Sequence, residues 1–284
     1  MNRYLIVVGT WLWRYLPVRR IRQGVWYSFL WWMRGKRKIE TIDGITYDLD
    51  LSEMIDVCIY VRRFEKDVAD FIDATCKKGF VVLDIGANIG AHCLRFARLA
   101  NKEGAVYAFE PTDYAYAKLQ KNIALNNFGN IQSYRVALAN QNLTQQNISY
   151  RSSWKSDGSH PETCSVVDFV RLDDWADKNL IERLDIIKID VDGNEFSVMD
   201  GSRRLIGKFK SLVIAEVGAW HFEDPKCNPW SILAEIGYRF WDLQSNQEYS
   251  SLEEMRAVLP RKDEEMGFSI NIVAKTGNSP WGLE

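Results

Sequence analysis

From residue 80 onward, strand-length and helix-length segments alternate along the chain, and this alternation is the strongest constraint on its fold. The strand candidates are residues 80–85, 104–109, 131–138, 184–190, 211–217, 236–243 and 268–275. The helix candidates are residues 90–101, 113–127, 195–208 and 229–236. Because parallel strands need crossover segments that cover the sheet, the pattern predicts an α/β fold: a mainly parallel seven-stranded sheet with helices on both faces.

The segments before residue 80, and one segment inside the alternating region, follow other patterns. Residues 39–51 alternate apolar and polar side chains around Asp43-Gly44, which predicts a β-hairpin. Residues 65–78 are typical of a helix that leads into the sheet. Residues 140–165 are polar and predict either a lid that faces a substrate or a mobile loop. We therefore divide the chain into a leader with a hairpin, residues 1–64, and a main domain, residues 65–284.

Charge is distributed unevenly along the chain. The first 39 residues hold nine of the 36 basic residues and no acidic residue, whereas the rest carries 27 basic and 38 acidic residues. Because nucleic-acid binding needs a positive track for the phosphates, the acidic body argues against a nucleic-acid partner. The five cysteines are scattered without CxxC spacing, which predicts reduced cytosolic thiols and neither a disulfide framework nor a zinc site.

The leader combines aromatic and basic side chains. Its apolar run, residues 4–13, is too short to span a bilayer, which takes about 20 apolar residues. Five of the eleven tryptophans lie between residues 11 and 33, interspersed with arginines. We expect a cytoplasmic protein. The mixture suits contact of residues 1–38 with a membrane surface, which would make the protein peripheral at the inner membrane face. The alternative is a helical cap that packs on the domain or on a second copy in a homodimer.

The most informative motif is VVLDIGANIGAHCLRFA at residues 81–97. An apolar strand ends in Asp84, and Gly86, Asn88 and Gly90 follow in a tight turn into a helix. Glycine permits positive φ and close approach of a ligand, and amides at a helix start can face a carboxylate. The turn therefore predicts a binding site for an amino-acid moiety, with Asp84 placed to hold its ammonium group.

The next strand supplies a second candidate contact, because residues 104–111 end in Glu110 and Pro111. A carboxylate at that strand end accepts hydrogen bonds from both hydroxyls of a ribose. The turn lacks the G-x-G-x-x-G spacing expected for the pyrophosphate of NAD, so D-x-G-x-N-x-G followed by Glu-Pro favours S-adenosyl-L-methionine (AdoMet). Ala137 and Leu138, at the end of the third strand, are candidates for contact with the adenine ring.

Further segments extend this pattern in a fixed order along the chain. They are VLDIGANIG, VYAFEP, LQKNIALNN, VALAN, VRLDDW, LDIIKIDVDGNEFSVMDG and LVIAEV. From about residue 80 to residue 218, the chain thus resembles the FkbM-type methyltransferase family. The resemblance implies a Rossmann-like class I methyltransferase fold, AdoMet as cofactor, and methyl transfer to hydroxyls of sugars or natural products. One departure is Asp192, a shorter carboxylate where the family usually has Glu.

Three residues near the carboxyl ends of the strands are candidates for catalysis, because ligands of parallel α/β sheets bind there. Asp190, which ends the fourth strand, is the first candidate for a general base or substrate-orienting group, followed by Glu216 and His221. Asp190 can instead cap the next helix, and we expect Glu195 to stabilise the start of that helix. Asp190 and Glu216 also suit Mg²⁺, although no further ligand is apparent and no metal residues are assigned.

These observations predict an AdoMet-dependent O-methyltransferase that acts on a hydroxyl of a sugar, glycan or small natural product. The first alternative is a nucleic-acid methyltransferase, with RNA as substrate. Against it, DVDG stands where adenine N6 enzymes carry D/N-P-P-Y/F, and the Pro-Cys pair of cytosine C5 enzymes does not occur. The second alternative is an AdoMet-binding protein without transfer activity.

Overall fold

A computed structural model describes residues 19–151, 155–159, 162–259 and 269–277, with side chains from Trp26 onward. The predictions for residues 1–18, including the apolar run of the leader, lie outside the described residues. The described residues cluster into two compact units, one within residues 1–66 and 149–163 and one within residues 67–148 and 164–284. The proposed division at residues 64 and 65 stays a prediction.

The first unit contains a hairpin between two helices. Its elements are Arg19–Met33 (α1), Arg37–Ile42 (β1), Ile45–Asp50 (β2) and Met54–Tyr60 (α2). The strands pair antiparallel, and Ile42 stands opposite Ile45 at the turn. Asp43 and Gly44 both have positive φ, as a two-residue hairpin turn of type I′ requires. The predicted hairpin is confirmed, whereas helix α2 is not predicted by the sequence pattern.

The following elements contain the alternating pattern. The strands are Val81–Ile85 (β3), Ala105–Phe109 (β4), Ile131–Tyr134 (β5), Val136–Ala139 (β6), Leu143–Arg151 (β7), Glu162–Arg171 (β8), Ile186–Ile189 (β9), Leu212–Gly218 (β10), Arg239–Asp242 (β11), Glu248–Tyr249 (β12) and Ser269–Lys275 (β13). The helices are Lys66–Thr75 (α3), Ala91–Ala100 (α4), Asp113–Ala124 (α5), Leu172–Lys178 (α6), Glu195–Asp200 (α7), Arg203–Phe209 (α8), Pro229–Ile236 (α9) and Leu252–Ala257 (α10). Single 3₁₀ turns lie at Asn101–Glu103, Ala219–Phe222 and Pro225–Cys227.

Within the described part of the chain, the central sheet has eight strands in the order β12-β11-β13-β10-β9-β3-β4-β5. Neighbours from β10 to β5 are parallel, and β13 runs antiparallel to β10 and β11. The chain moves outward from β3 to β5 and then returns to β9 on the other side, so right-handed crossovers place helices on both faces. The α/β, Rossmann-like class I methyltransferase fold is confirmed, and the two-residue strand β12 adds an edge to the seven predicted strands.

Two segments differ from the sequence-based prediction. The predicted strand 131–138 divides into β5, which stays in the central sheet, and β6, which joins a three-stranded sheet in the order β6-β8-β7. Strands β7 and β8 occupy much of the polar segment 140–165, so the prediction of a mobile loop is wrong for these residues, and that of a substrate-facing lid stays a prediction. The segment forms strands because Ser165 and Val167 alternate with exposed residues and are buried, which gives β8 one packed face.

The helix predicted over residues 195–208 is also divided, into α7 and α8. The break lies at Gly201 and Ser202. A Cβ on Gly201 would lie 2.0 Å from the carbonyl oxygen of Ala139, so the chain passes too close to β6 for any larger residue. Helix α6, just after β8, is likewise absent from the predicted elements. The break at Gly201 thus arises from a contact with the added three-stranded sheet, which the local pattern does not encode.

The central strands β3 and β9 lie in the middle of the core. Val82, Leu83, Ile186 and Ile187 are buried completely or nearly so, as expected for parallel strands covered on both faces. The carboxyl ends of β3, β4 and β9 therefore meet where the strand order reverses, which is where ligands bind in open α/β sheets. No helix in the described ranges is both long and apolar enough to cross a membrane.

Candidate active site

A glycine turn follows the carboxyl end of β3. Gly86 has φ of +82°, and a Cβ there would lie only 1.7 Å from the carbonyl oxygen of Asp190. The amide of Asp190 donates to the carbonyl of Ile85 at 3.0 Å, which holds the chain after β9 against the turn. Gly90, with φ of +97°, precedes α4, and a Cβ there would approach Leu119 to 2.8 Å. Backbone conformation thus favours glycine at both positions, and at Gly86 the nearby backbone also leaves no space for a side chain.

The amide groups of this turn bond within the protein. Gly86 and Ala87 both donate to the carbonyl of Phe109 at 2.9 Å. The amide of Asn88 donates to Oε2 of Glu110 at 3.0 Å, which fastens the turn to the end of β4. Because these amides already have acceptors, a ligand carboxylate would have to bind amides further along α4.

Glu110 is buried at the end of β4, with only 5% of the residue exposed. Its Oε1 accepts hydrogen bonds from the backbone amide of Thr112 at 2.9 Å and from the Thr112 hydroxyl at 2.5 Å. Burial raises the pKa of Glu110; the hydrogen bonds from Thr112 and Asn88 partly offset this effect, and the charge of Asp192 adds to it. Pro111, half-buried, follows directly. The carboxylate is therefore fixed beside the glycine turn, as the predicted ribose contact requires.

Ala137 and Leu138 lie outside the central sheet, because both belong to β6. They stand opposite Phe169 and Val170 of β8 in parallel register. Leu138 is buried, and Ala137 is half-buried. The expectation that they end the third central strand is wrong, since the chain leaves that sheet after Tyr134. Their contact with an adenine ring stays a prediction.

A buried lysine lies between the ends of β3 and β9. Lys188 Nζ is 3.0 Å from Oδ2 of Asp190 and 4.0 Å from Oδ1 of Asp84. Lys188 and Asp84 are direct register partners on the two parallel strands, so their side chains project from the same face. Asp84 is buried, whereas the side chain of Asp190 is 29% exposed. Asp190, the predicted base, is therefore the most exposed of three charged side chains that lie together, and the other two, Asp84 and Lys188, are buried in the sheet.

Glu195 and His221 form a second buried pair, with 2.7 Å between Oε2 and Nε2. His221 Nδ1 accepts from the amide of Gly218 at 3.1 Å, and a neutral ring with that acceptor carries its proton on Nε2, which lies 2.7 Å from Glu195 Oε2. The indole N–H of Trp220 also lies 3.1 Å from Nε2, so this nitrogen has two neighbours. Oε1 of Glu195 accepts from the amides of Val191 and Gly193 at 3.2 and 3.3 Å. The pair joins the loop after β9 to the end of β10.

Opposing effects act on the pKa of Glu195. Burial raises it, but the hydrogen bond and charge of His221 and the bonds from nearby backbone amides hold it below its usual value. Glu195 is therefore an anchor for the loop before α7, and its expected role at the start of that helix stays a prediction. Both ring nitrogens of His221 have partners inside the protein, which favours a positioning role for this side chain.

Glu216, the remaining catalytic candidate, lies on β10, which pairs with the antiparallel strand β13. It stands opposite Asn271 on β13, and its Oε1 accepts a short hydrogen bond from the hydroxyl of Ser269. This contact ties β10 to β13. The structure thus gives Glu216 a partner on β13, whereas Asp190 has its partner on β9.

The structure brings the predicted residues together in two groups at the carboxyl end of the sheet. The first contains Asp84, Gly86, Asn88, Glu110 and Asp190, connected by the contacts described above. The second group contains His221, which is hydrogen-bonded to Glu195, a residue that the sequence predicts to stabilise the start of a helix. The catalytic and binding roles of all these residues stay predictions. Among the residues that the structure describes, no three His, Cys, Asp or Glu side chains come together as metal ligands.

Lys188 is a site residue that the sequence motifs did not predict. One signal was present: this lysine interrupts the otherwise isoleucine strand β9, IIKI. Lysine is rarely buried unless it is paired, so its position in a central strand indicates a nearby carboxylate. The bond between Glu195 and His221 left no comparable signal, because it joins residues 26 positions apart across two strand ends.

Comparisons with known proteins agree with this geometry. The family sequence model described as the methyltransferase FkbM domain matches residues 84–270. The hexuronic acid methyltransferase AglP of Haloferax volcanii is 26% identical over 168 residues, covering 58% of this chain and 66% of AglP. The 2-O-methyltransferase NoeI of Sinorhizobium fredii is 29% identical over 154 residues, covering 46% of this chain and 61% of NoeI. The chain thus spans about three fifths to two thirds of the curated relatives it matches.

Solved structures with similar folds include the methyltransferase FkbM from Methylobacillus flagellatus KT, with a TM-score of 0.43 and 13% identity. That match covers 90% of this chain and 60% of the other. TYW2 of M. jannaschii, in complex with AdoMet, gives a TM-score of 0.45 and 14% identity, covering 85% of each chain.

Proposed function

The chain belongs to the FkbM methyltransferase family, and from this premise we propose that it transfers a methyl group from AdoMet to a hydroxyl oxygen of a sugar or glycan. The acceptor class is supported by two relatives named for a hexuronic acid and for 2-O-methylation. The observation that carries the proposal is the buried carboxylate of Glu110, fixed beside the glycine turn at 86–90. This pairing suits a nucleoside that carries an amino-acid group.

The residues at the end of β3 and β4 fit AdoMet by their chemistry. Glu110 is an acceptor for both ribose hydroxyls, and Asp84 offers a negative charge for the ammonium group. Gly86 keeps the backbone free of side-chain atoms at the turn. Bound AdoMet would supply a methyl group on a positively charged sulfur, which is a good leaving group. No metal ion is part of this proposal.

Asp190 is the proposed base at the edge of this site. Lys188 binds its Oδ2, and within the described residues no hydrogen bond reaches its Oδ1. As the acceptor oxygen bonds to the methyl carbon, the carbon–sulfur bond breaks and its electron pair stays on sulfur. The hydroxyl proton passes to the Asp190 carboxylate, which lowers the barrier for attack by oxygen. Glu195 and His221 would hold the loop that carries Asp190, and Glu216 would support β10.

A direct test combines binding with turnover. Isothermal titration calorimetry with AdoMet, S-adenosylhomocysteine and NAD should show binding of the first two. Glu110→Ala should weaken AdoMet binding at least tenfold, whereas Glu223→Ala, which removes an exposed acid, should not change it. Binding of NAD without AdoMet would contradict the cofactor assignment.

The acceptor class needs its own assay. Labelled methyl transfer from AdoMet should be measured on oligosaccharides that contain hexuronic acids and on tRNA. We expect label on the oligosaccharides alone. Label on tRNA alone would favour the nucleic-acid alternative, and AdoMet binding with no transfer to any acceptor would favour a binding protein.

The proposal also includes contact of the leader with an anionic membrane surface at the cytoplasmic face. Tyr27 and Trp31 lie one helical turn apart on α1 and are 64% and 78% exposed, whereas Leu30 and Met33 are buried. Exposed aromatic rings on a segment that carries nine basic and no acidic residues up to residue 39 suit a headgroup layer with negative lipids. Lys36 Nζ lies 3.2 Å from the ring centroid of Trp32, which places a cation beside a third aromatic ring of this helix.

Vesicle flotation tests this contact. The full chain should float with phosphatidylglycerol vesicles and not with phosphatidylcholine vesicles. Trp31→Ser should reduce flotation, whereas Leu180→Ser, which changes an equally exposed apolar residue elsewhere, should not. Equal flotation of both variants would exclude the contact, and a dimer that Trp31→Ser dissociates in sedimentation velocity would assign this face to a second copy.

A further inference from the structure

Lys188 occupies a position where a cation is costly. It belongs to β9, a central strand, and only 4% of the residue is exposed. Its neighbours in the strand, Ile187 and Ile189, are completely buried. Removing an ammonium group from water is unfavourable by several kcal/mol, roughly, unless charged partners compensate. The side chain must therefore be held by specific contacts.

Two carboxylates from different strand ends provide those contacts. Asp190 Oδ2 lies 3.0 Å from the ammonium nitrogen, and Asp84 Oδ1 lies 4.0 Å from it. The backbone of Asp190 is itself fixed by the hydrogen bond of its amide to Ile85. One ammonium group thus bridges the acid expected to bind the cofactor and the acid expected to accept the substrate proton.

Without this cation, the two carboxylates would share a poorly solvated site. Like charges in such a site disfavour ionisation, so one of the acids would bind a proton near neutral pH more readily. The thiol of Cys93 on α4 also faces Asp84 and Lys188, but burial raises its pKa well above the usual value, so it stays uncharged. The other titratable groups at this end of the sheet are Glu110, Asp192, Glu195, Glu216 and His221.

We propose that Lys188 is a positioning residue for methyl transfer, which keeps the carboxylates of Asp84 and Asp190 charged and holds Asp190 towards the acceptor hydroxyl. This inference rests on the proposed function for its catalytic part. The bridging of the two acids does not depend on which acceptor is methylated. Lys188 itself would not touch the reacting atoms, because it lies beneath Asp190 in the buried strand.

The test compares Lys188→Met, which removes the charge at similar length, with Lys188→Arg, which keeps it. ¹³C NMR of aspartate carboxyl carbons, with Asp190→Asn to assign the signal, follows ionisation in the full-length protein without turnover. In Lys188→Met, the Asp190 signal should titrate at higher pH than in the wild type, because the ammonium group 3.0 Å from its carboxylate has been removed. Lys188→Arg should stay within half a pH unit, roughly, of the wild type, since it keeps the cation.

The pH profile of kcat/KM for the acceptor supplies the catalytic readout. Only the ionised Asp190 accepts a proton. The acid limb of the kcat/KM profile should therefore move to higher pH in Lys188→Met, by the same amount as the NMR midpoint of Asp190. A folded Lys188→Met protein with an unchanged Asp190 midpoint would overturn the inference. If the Asp190 midpoint shifts in Lys188→Met but the wild type transfers no methyl group, the proposed function alone is overturned. If the enzyme is active but the acid limb of its kcat/KM profile does not move, the positioning role alone is overturned.

A double-mutant cycle covers the case in which Lys188→Met is unstable. Adding Asp190→Asn to Lys188→Met removes the carboxylate that has lost its partner, so the double variant should resist urea better than Lys188→Met. If the double variant is no more stable, the two side chains are not coupled and the inference fails. Glu182→Gln, which neutralises an exposed acid between α6 and β9, is the matched control and should not improve the stability of Lys188→Met.

Discussion

Replacing Glu195 by Gln tests the buried pair at the end of β10. The substitution keeps size and shape but removes the charge. In the wild type, Oε1 accepts from two backbone amides and Oε2 accepts the Nε2 proton of His221. The introduced glutamine can keep the two amide bonds through its carbonyl oxygen. Its NH₂ group would then face the Nε2–H of His221, so that two donors oppose each other.

His221 cannot relieve this conflict by changing tautomer. Moving the proton to Nδ1 would set it against the amide of Gly218, which donates to that atom at 3.1 Å. The substitution therefore loses one hydrogen bond to a charged group, which contributes about 1.5 to 3 kcal/mol. It also leaves a buried donor unsatisfied, at a cost of about 1 to 3 kcal/mol. We expect Glu195→Gln to lower the free energy of unfolding by roughly 3 kcal/mol at pH 7, the lower part of the combined range.

The pH dependence of this difference follows from the pKa of Glu195. Its pKa in the folded protein lies below the unfolded value, despite burial, because of His221 and the backbone amides. The stabilisation is thus fully present above an unfolded pKa of about 4.3 and is lost as pH falls through the folded pKa. The difference in free energy of unfolding between the wild type and Glu195→Gln should therefore narrow below about pH 4.

Urea unfolding followed by tryptophan fluorescence measures the difference. Glu223→Gln, which neutralises an exposed acid, is the matched control and should stay within about 0.5 kcal/mol of the wild type. If Glu195→Gln is as stable as this control at pH 7, or if the gap does not narrow in acid, the account of the buried pair is refuted.

Three further predictions address the glycine turn, the ribose contact and the thiols. Gly86→Ala should bind AdoMet at least tenfold more weakly by calorimetry, because its Cβ would overlap the carbonyl of Asp190. Its positive φ should also lower the free energy of unfolding by about 1 to 3 kcal/mol through backbone strain alone. AdoMet affinity of the wild type should fall in acid as Glu110 binds a proton, at a pH above the ordinary range of glutamate because burial raises its pKa, and Glu110→Gln should abolish this dependence. With a thiol reagent, exposed Cys164 should react at once, whereas buried Cys93, whose pKa is raised by burial, should react only on unfolding.

The predictable parts of the structure are those encoded over short stretches. The alternation of apolar strands and helices predicted the central sheet, and Asp43-Gly44 predicted the hairpin turn. The turn at Gly86 and the carboxylate of Glu110 were recognisable because each follows directly on a strand. Parallel strands bring their carboxyl ends to one edge, so these two residues were expected to meet, and the amide of Asn88 joins them.

The parts that were not predictable depend on residues far apart in the chain. Strand β6 leaves the central sheet to pair with β8, about 30 residues later, and this pairing moves Ala137 and Leu138 away from their predicted place. Lys188 meets Asp84 across more than 100 residues, and its role depends on β9 lying next to β3. No local pattern specifies that order.

By itself, the sequence determined which segments become strands, where the tight glycine turn forms, and which family the chain belongs to, because each is a matter of local pattern. Only the tertiary structure decided that Asp190 is paired with a buried lysine and that His221 is held by Glu195 and Gly218. The physical reason is that a charge or a ring nitrogen acquires its role from the atoms placed within about 3 Å of it, and folding alone brings those atoms together.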